Sequence, residues 1–289
     1  MFEKIAVCGL GLLGGSLCRS IRKYHPGARI SACERVPSGL ETALEHGVVD
    51  SAISIDDAYK GDFDLVAVAT PVCASIDIIS GFLDSEGSEN APIVIDVGSV
   101  KAQVVRRVEQ LPGAARFVGC HPMAGSEKTG YENSSADLYD GASVIITPNR
   151  YNSRETLTRV IGFWESLGAE AVISSPEQHD LCVSYTSHLP RLMAALLVKV
   201  LRDFSPAVKD AECLGPFIGK GYRDTTRIAS GSAEMWRDII ITNRDYILQS
   251  LGAFTDELEE LKRMIEGCAG DPEGIRKFFD ETGRYREEI

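Results

Sequence analysis

Three closely spaced glycines near the amino terminus constrain the fold of this chain more than any other feature of its sequence. They belong to a G-x-G-x-x-G turn formed by Gly9, Leu10, Gly11, Leu12, Leu13 and Gly14. The apolar run Ile5–Cys8 precedes the turn, and the amphipathic stretch Leu12–Lys23 follows it. A strand, a tight turn and a helix in this order predict the first βα unit of a dinucleotide-binding sheet. We expect pyrophosphate to bind the free N–H groups at the start of that helix.

An acidic residue, Glu34, follows the second apolar run, Arg29–Cys33, about 20 residues after the last glycine of the turn. A carboxylate at this position accepts hydrogen bonds from the ribose hydroxyls of a dinucleotide and repels a ribose 2′-phosphate. Its neighbour Arg35 acts in the opposite direction, because arginine can pair with that phosphate. The sequence therefore predicts NAD as the cofactor, with NADP as the alternative.

Short apolar runs and helical segments alternate along the first part of the chain. Continuous apolar runs of this length are typical of strands that are covered on both faces of a parallel sheet. The predicted strands are Ile5–Cys8, Arg29–Cys33, Leu65–Ala69, Ile93–Val97, Phe117–Cys120, Ser143–Thr147 and Ala171–Ile173. The predicted helices include Leu12–Lys23, Leu40–His46 and Ser153–Leu167. These elements predict an α/β domain over residues 1–174.

Beyond Ser174 the strand pattern disappears, and apolar residues recur at helical spacing. One stripe consists of Leu189, Leu192, Met193, Leu196, Leu197, Val200 and Leu201. A second, heptad-like stripe consists of Ile247, Leu251, Phe254, Leu258, Leu261 and Ile265. Residues 175–289 are therefore predicted to form a helical domain. Both stripes can face the core of that domain, and one of them can instead continue across a subunit interface.

Charge and composition restrict the class of protein further. The formal net charge of −12 argues against a non-specific binder of nucleic acid or of anionic membranes, whose surfaces are usually basic. No segment approaches the roughly 20 consecutive apolar residues of a membrane span, and no secretory signal opens the chain. The eight cysteines form no C-x-x-C pair, which favours buried thiols over disulfides or a metal site. We expect a cytoplasmic protein without a bound metal.

Polar residues follow the predicted strands at the edge where open α/β sheets bind their ligands. Thr70 and Pro71 follow the third strand and are expected to pass close to the cofactor. Ser99 follows the fourth; its hydroxyl can cap the next helix or reach the nicotinamide and a substrate hydroxyl, and these roles are compatible. His121 follows the fifth, where a neutral imidazole suits proton removal near pH 7. Together these residues indicate a dehydrogenase whose base is His121.

Taken together, the motifs at these positions resemble those of the prephenate/arogenate dehydrogenase family of tyrosine biosynthesis. The resemblance extends from Lys4 to about Ile265. Beyond the glycine turn, its motifs are 96–101 (DVGSVK), 121–128 (HPMAGSEK), 187–190 (SHLP), 224–229 (DTTRIA) and 235–238 (MWRD). The resemblance implies a Rossmann-type dinucleotide-binding domain followed by an all-helical dimerisation domain, and hence a homodimer.

The resemblance also implies a reaction, oxidative decarboxylation, and assigns residues to it. In the family, a hydride passes from the ring carbon bearing the 4-hydroxyl of prephenate to NAD(P)+, and carbon dioxide leaves as the ring becomes aromatic. His121 matches the catalytic histidine, and Ser99 matches its partner at the 4-hydroxyl. Arg227 matches the residue that binds the ring carboxylate, for which a guanidinium fork is suited.

Further residues match the substrate pocket of the family. Glu127 and Asp224 match acids that form a charged gate with Arg227 in some members, one of them reaching across the dimer. Trp236 matches an aromatic residue that lines the pocket. Ser126 lies in the loop whose backbone approaches the ligand. These assignments are carried by the resemblance alone.

The remaining histidines of the motifs allow more than one interpretation. His188 is either a substrate contact or a buried structural residue, whereas His179 is expected on a helix surface. Arg191 stands where many members of the family have a histidine that holds the substrate side chain. A guanidinium there favours prephenate, a keto acid, over arogenate, which carries an ammonium group, unless Arg191 turns away to pair with an acid.

Basic residues gather at the motif positions of this otherwise acidic chain. The set consists of Lys101, Lys128, Arg191, Lys220, Arg223 and Arg227. A basic cleft would attract a substrate with two carboxylates, because the summed charge concentrates anions there. The sequence therefore favours a dianionic small molecule as the substrate.

Several functions remain open at this point. Within the family, arogenate and 4-amino-4-deoxyprephenate are alternative substrates. An imine or β-hydroxyacid reductase of similar architecture would rely on a lysine in the helical domain and would not need His121 together with Arg227. A non-catalytic nucleotide sensor would need neither His121 nor Ser99, and both are present. NAD-dependent conversion of prephenate to 4-hydroxyphenylpyruvate is therefore the predicted activity.

Overall fold

The computed structural model describes residues 2–84, 87, 91–125, 128–204, 211–268 and 270–288, with the backbone alone at 211–213. Contacts divide the chain into two compact units, 1–244 and 245–289. The first unit contains a sheet and the helices that follow it, and the predicted domain boundary near Ser174 lies inside this unit. The described residues of the second unit are helical, apart from the short connection near Asp271.

The strands of the first unit form one eight-stranded sheet in the order β3-β2-β1-β4-β5-β6-β7-β8. The strands are β1 (Lys4–Cys8), β2 (Arg29–Cys33), β3 (Ser51–Ala52), β4 (Leu65–Val68), β5 (Ile93–Asp96), β6 (Phe117–Pro122), β7 (Ser143–Thr147) and β8 (Glu170–Ile173). Every residue of β4 and β5 is buried, as expected of apolar runs in the middle of a covered sheet. The strand order reverses between β1 and β4, which is where such sheets open a ligand-binding crevice.

One pair of strands departs from the predicted parallel arrangement. β6 and β7 run antiparallel, with His121 opposite Ile145. Parallel neighbours need a crossover connection, usually a helix, to carry the chain back to the starting edge. Between β6 and β7 the described residues form loop and one short 3-10 turn, Tyr131–Asn133, so the chain re-enters the sheet from the edge that it left. The parallel arrangement expected from the apolar runs therefore does not extend to this pair.

Helices connect the strands and continue beyond β8. The connecting helices are α1 (Leu12–Tyr24), α2 (Pro37–Glu45), α3 (Ile55–Lys60), α4 (Val72–Leu83), α5 (Ala102–Val108) and α6 (Arg154–Ser166). After β8 come α7 (Pro176–Val183), α8 (Leu189–Phe204), α9 (Lys220–Thr226) and α10 (Ala233–Thr242). α7 begins where it does because the Ser175 hydroxyl accepts from the backbone N–H of Gln178 and Pro176 occupies the first turn.

A π-helical turn, Ser184–His188, joins α7 to α8. Such turns widen a helix by one residue and are frequent at functional sites. The helical run Pro176–Phe204 that contains it is long and apolar enough, by length and composition alone, to cross a membrane. The sequence prediction did not anticipate such a segment, because its apolar residues are interrupted by polar ones. Apolar helices in soluble proteins pass the same test.

The second unit contains most of α11 (Arg244–Gly267) and all of α12 (Pro272–Glu288). The predicted heptad-like stripe lies on α11. Phe254, Leu258 and Ile265 of this stripe are exposed to solvent. The apolar side chains of the stripe are thus only partly covered within the chain.

The cysteines differ from one another in burial. Cys8 and Cys120 are buried free thiols, as expected for cysteines in strands, whereas Cys33 at the end of β2 is only partly buried; Cys18 is buried on α1. Cys73 and Cys182 are exposed, as is Cys268. Among the residues that the structure describes, no group of three or more His, Cys, Asp or Glu side chains is placed to hold a metal ion.

Candidate active site

The glycine turn has the geometry that a bound pyrophosphate requires. Gly9 has a φ of +97°, and a Cβ on Gly14 would lie 1.9 Å from the carbonyl oxygen of Gly9. These two positions therefore exclude any side chain. A Cβ on Gly11 would meet no atom within 4 Å, so the space in front of the turn is open. Gly11 is also the N-cap of α1 and provides no side-chain cap, which leaves the first N–H groups of the helix for an anion.

Glu34 lies directly beside this turn. Its carboxylate accepts from the backbone N–H of Leu10 at 2.6 Å and from that of Arg35 at 2.6 Å. The carboxylate thus lies at the end of β2, where the ribose of a dinucleotide on this turn would lie. Leu10 is buried, whereas Arg35 is exposed. Glu34 and Arg35, which bear on the choice between NAD and NADP, therefore lie next to each other at one edge of the cradle.

Thr70 and Pro71 border the turn from the end of β4. A Cβ on Gly9 would lie 3.0 Å from Cγ2 of Thr70, which shows how closely the two segments approach. The Thr70 hydroxyl lies 2.9 Å from that of Ser75. Pro71 is the N-cap of α4. The residues at 9–14, 34, 70 and 71 together form a cradle that fits a dinucleotide, with its phosphates on the backbone of the turn.

His121 lies near the end of β6 and is half-buried. Its Nδ1 lies 2.7 Å from Nε2 of His179, and the two rings pack edge to face with centroids 5.0 Å apart. His179 in turn places Nδ1 2.7 Å from a carboxylate oxygen of Asp180. The expectation that His179 lies on a helix surface is therefore wrong: its exposed fraction is 2%. α7 spans only about two turns, too few for its sequence to reveal which face is covered.

Asp180 is a buried hub that connects two segments of the site. Its two carboxylate oxygens accept from the backbone N–H groups of Lys101 and Ala102, both at 2.8 Å. Its backbone carbonyl accepts from the side-chain amide of Asn243 at 3.0 Å. The carboxylate thereby caps α5 and also contacts His179. Sequence analysis missed this hub, because nothing in the local pattern links α7 to the start of α5.

Lys101 does not contribute to a basic cleft, contrary to the sequence prediction. It is completely buried and forms an ion pair with Asp96 at the end of β5. Its ammonium group also donates to the carbonyl of Cys120 at 2.9 Å. Asp96 accepts as well from the backbone N–H groups of Gly98 and Cys120, both at 3.2 Å. Because the pair is internally satisfied, its charge is not available to a substrate as a ligand.

Ser99 lies in the segment between β5 and α5 and is half-buried. The interpretation of Ser99 as the helix cap is wrong, since α5 begins at Ala102 with Lys101 as its N-cap residue. The carboxylate of Asp180 caps that helix instead. The Ser99 side chain is therefore not committed to the helix start.

The surroundings of His121 favour its neutral form. Burial lowers the pKa of the His121 imidazole well below its usual range. The neighbouring His179, Lys101 and His188 lower this pKa further, in that order. A neutral imidazole at pH 7 can accept a proton, which is the state that a general base needs.

His188, Trp236 and Arg191 form a cluster on the helical side of the site. His188 is buried and lies 3.1 Å, at Nδ1, from the side-chain amide of Asn243. Burial lowers the pKa of His188 to about 4. The rings of His188 and Trp236 pack edge to face with centroids 5.9 Å apart. The guanidinium of Arg191 lies over the Trp236 ring at 5.1 Å and donates to the carbonyl of Ser230; among the described residues it pairs with no acid.

The other predicted substrate residues are either exposed or outside the described part of the chain. Asp224 belongs to α9, and Arg227 begins the 3-10 turn Arg227–Ala229; both are exposed. Ser126 and Glu127 lie outside the described residues. Gly125, just before them, has a φ of +134°, and a Cβ there would lie 4.0 Å from Leu13 of the dinucleotide turn. The loop after β6 thus approaches the cradle, and the predicted gate between Glu127, Asp224 and Arg227 stays a prediction.

The fold and this site define a dinucleotide-binding protein with a helical region that faces a histidine at the edge of the sheet. Two family models match the chain: "Prephenate dehydrogenase, nucleotide-binding domain" over residues 17–173, and "Prephenate dehydrogenase, dimerization domain" over residues 175–281. The chain belongs to the prephenate dehydrogenase family. The predicted fold class, a Rossmann-type domain followed by a helical dimerisation domain, is confirmed.

Individual relatives agree with this assignment. A prephenate dehydrogenase of Bacillus subtilis is 34% identical over 99% of this chain and 76% of its own length. A crystal structure of the Aquifex aeolicus prephenate dehydrogenase, in complex with hydroxyphenyl propionate and NAD+, covers 100% of this chain and 99% of its own, with a TM-score of 0.91 and 32% identity. A Synechocystis arogenate dehydrogenase structure covers 99% of this chain and 100% of its own, with a TM-score of 0.79 and 27% identity.

Proposed function

We propose that this protein catalyses the NAD-dependent oxidative decarboxylation of prephenate to 4-hydroxyphenylpyruvate. The observation that carries the proposal is the half-buried His121 side chain, bonded through Nδ1 to His179, at the same edge of the sheet as an open dinucleotide turn. The Bacillus subtilis relative is named a prephenate dehydrogenase, and the Aquifex aeolicus relative binds NAD+ and a phenolic acid. Base and cradle together suit removal of a hydroxyl proton beside a hydride acceptor.

The residues of the site divide the work of this reaction. NAD+, when bound, accepts a hydride from the ring carbon that carries the 4-hydroxyl. His121 accepts the hydroxyl proton at Nε2, since its Nδ1 is engaged with His179. Ser99 orients the hydroxyl, and Arg227 binds the ring carboxylate with its guanidinium fork. The ring carboxylate leaves as carbon dioxide, its bonding electrons complete the aromatic ring, and the 4-oxygen takes a proton from solvent to give the phenol.

The cradle residues bind and select the cofactor in this proposal. The backbone of Gly9, Leu10, Gly11, Leu12, Leu13 and Gly14 binds the pyrophosphate, and Thr70 and Pro71 border it. Glu34 accepts from the ribose hydroxyls once they replace backbone donors at its carboxylate. Because that carboxylate lies beside the turn, a 2′-phosphate would meet like charge there. Arg35 can pair with such a phosphate, but Glu34 repels it, so NAD is the favoured cofactor.

The substrate side chain is read by the cluster on the helical side. Trp236 lines the pocket, with His188 packed against it and Arg191 stacked on it. The Arg191 guanidinium can donate to the side-chain carboxylate and keto oxygen of prephenate, and it opposes the ammonium of arogenate. In this proposal Glu127 and Asp224 form a charged gate with Arg227, as in some members of the family, and Ser126 belongs to the loop whose backbone approaches the ligand.

The protein acts as a homodimer in the cytoplasm, according to this proposal. The predicted stripe on α8 leaves Leu197 and Val200 exposed, with exposed fractions of 42% and 66%. The stripe on α11 leaves Leu258 exposed as well. Exposed apolar side chains that recur along one helix are typical of subunit interfaces, and the matched family domain is a dimerisation domain.

Arogenate dehydrogenase is the second candidate function, favoured by the similarity to the Synechocystis enzyme. The deciding experiment measures reduction of NAD+ and of NADP+ by absorbance, with prephenate and with arogenate, using the full-length protein. We expect kcat/KM to be highest for prephenate with NAD+. A higher value for arogenate would establish the second candidate, and no reduction with either substrate would overturn the proposal.

A further inference from the structure

A row of three side chains leads from the edge of the sheet into the interior. His121 is half-buried, whereas His179 and Asp180 have exposed fractions of 2% and 1%. Both links of the row measure 2.7 Å, the length of a strong hydrogen bond. A second buried histidine between a base and a carboxylate is not required to hold the base in place. Its presence suggests a further role.

Asp180, at the inner end of this row, determines which ring nitrogen of each histidine carries the proton. The Asp180 carboxylate accepts from two backbone N–H groups. Because an ionised carboxylate can only accept hydrogen bonds, it also accepts from His179. His179 therefore carries its proton on Nδ1, and its Nε2 is an acceptor. The Nδ1 of His121 must then donate to it. This leaves Nε2 of His121 with a free lone pair, which is the state a base needs.

We propose that His121, His179 and Asp180 form a proton relay. The proton that His121 takes at Nε2 is matched by transfer of its Nδ1 proton to Nε2 of His179. The positive charge then rests on the His179 imidazolium, which keeps its Nδ1 hydrogen bond to the Asp180 carboxylate. No electrons are transferred in this step, and the reverse transfer returns the proton to solvent through His121. The relay rests on the proposed function, because the proton comes from a substrate hydroxyl.

The charges around the two rings favour this transfer. A cationic His121 is disfavoured by burial and by the ammonium of Lys101, which is itself paired with Asp96. His188, from the π-helical turn, adds no negative charge. After the transfer, the charge lies 2.7 Å from Asp180, the carboxylate of α7. Asp180 therefore stabilises a cationic His179 more than a cationic His121.

The first test replaces the carboxylate by its amide, Asp180→Asn. Without the anion the paired imidazoles bind a proton less tightly. The acid limb of the pH profile of kcat/KM, where activity falls as the base becomes protonated, should therefore move to lower pH. We expect kcat to fall roughly tens-fold, less than the 10²–10⁴-fold loss of removing a general base. KM for prephenate and for NAD+ should stay within about twofold, because the Asp180 carboxylate binds neither of them.

The second test, His179→Gln, keeps an acceptor for His121 but cannot accept a proton. It should lower kcat without weakening substrate binding. His25→Gln is the matched control, because His25 also bonds a side chain, that of Ser166 at 2.8 Å, but lies outside the site. An acid limb that does not move in Asp180→Asn, or a His179→Gln variant with wild-type kcat, would overturn the relay. So would losses in both variants that appear only in KM and thermal stability, since these mark a structural role.

Nitrogen-15 NMR of the histidine rings provides a readout without substrate. The relay requires His121 and His179 both to carry their proton on Nδ1 when neutral. Asp180→Asn should disturb the tautomer of His179, whereas Asp50→Asn, at a carboxylate that accepts from the backbone of Ile30 at 2.7 Å, should not. A proton on Nε2 of His121 in the wild type contradicts the relay even if prephenate is oxidised. The expected tautomers without prephenate oxidation would overturn the proposed function instead.

Discussion

The dinucleotide cradle and the His121 region occupy the same edge of one sheet, yet they use different groups to bind and to react. The cradle offers backbone N–H groups, and two of its glycines exclude any Cβ. The His121 region consists of side chains from β5, β6, α7 and the start of α5, joined by buried hydrogen bonds. Backbone donors suit an anion that must bind and leave unchanged. Buried side chains suit a proton whose position must be controlled.

This difference implies different responses to substitution. Around the turn, added volume is harmful and changes of charge at its rim alter cofactor choice. In the His121 region, volume matters less than whether each buried polar atom keeps its partner, because an orphaned charge in the interior is costly.

Lys101→Met should be among the most destabilising substitutions in the chain. It leaves Asp96 as an uncompensated buried carboxylate, and breaking a buried pair in this way costs about 3–5 kcal/mol. Chemical denaturation of the variant measures the loss directly. Lys4→Met is the matched control, because Lys4 forms an exposed pair with Asp62 and surface pairs contribute little. Equal losses in the two variants would show that the buried network is not what stabilises this region.

Arg191→Gln should narrow the ratio of kcat/KM between prephenate and arogenate. Like charge between a guanidinium and the ammonium of arogenate costs on the order of 1–4 kcal/mol at an effective dielectric between those of water and protein surface, so the ratio should fall about tenfold or more. Loss of stacking on Trp236 affects both substrates alike. Steady-state kinetics with both substrates measure the ratio. A ratio that stays constant would mean that Arg191 only packs against the aromatic ring.

Glu34→Ser should shift the preference from NAD+ towards NADP+, with the smallest effect of the series. Serine still offers a hydroxyl to the ribose, and Arg35 is then free to pair with a 2′-phosphate. The carboxylate also accepts from Leu10 of the turn, so some loss of affinity for both cofactors is expected. Titration of each cofactor against protein fluorescence gives the two dissociation constants. A wild type that already binds NADP+ better would contradict the role given to Glu34.

The sequence predicts the cradle better than the His121 region, for a physical reason. The turn is local: a strand, three glycines and a helix follow one another, and β1, α1 and β2 lie within two residues of their predicted limits. β7, Ser143–Thr147, also has its predicted limits, because a continuous apolar run marks a covered strand wherever it lies. Its antiparallel direction was not predicted, since direction depends on the connection and not on the strand.

The buried partners of His121 depend on contacts between distant segments. His121 and His179 are 58 residues apart, and Asp180 bonds Lys101 across 79 residues. No periodicity in α7 marks His179 as buried. The sequence around Lys101 is equally compatible with a lysine in a cleft and with a buried lysine. The adjacent His179 and Asp180, following the helix start at Ser175, are the signal that a search for histidine–carboxylate pairs would have found.

The central claim is that cofactor binding and proton removal belong to separate parts of this edge, and His121→Asn tests it most directly. Isothermal titration of NAD+ and steady-state kinetics with prephenate are measured on the same preparation. The control is His46→Asn, because His46 is exposed and lies at the end of α2. We expect the dissociation constant for NAD+ to be unchanged and kcat to fall by roughly 10²–10⁴. A variant that keeps more than about a tenth of wild-type kcat, or that loses NAD+ affinity as strongly as it loses kcat, would contradict the account.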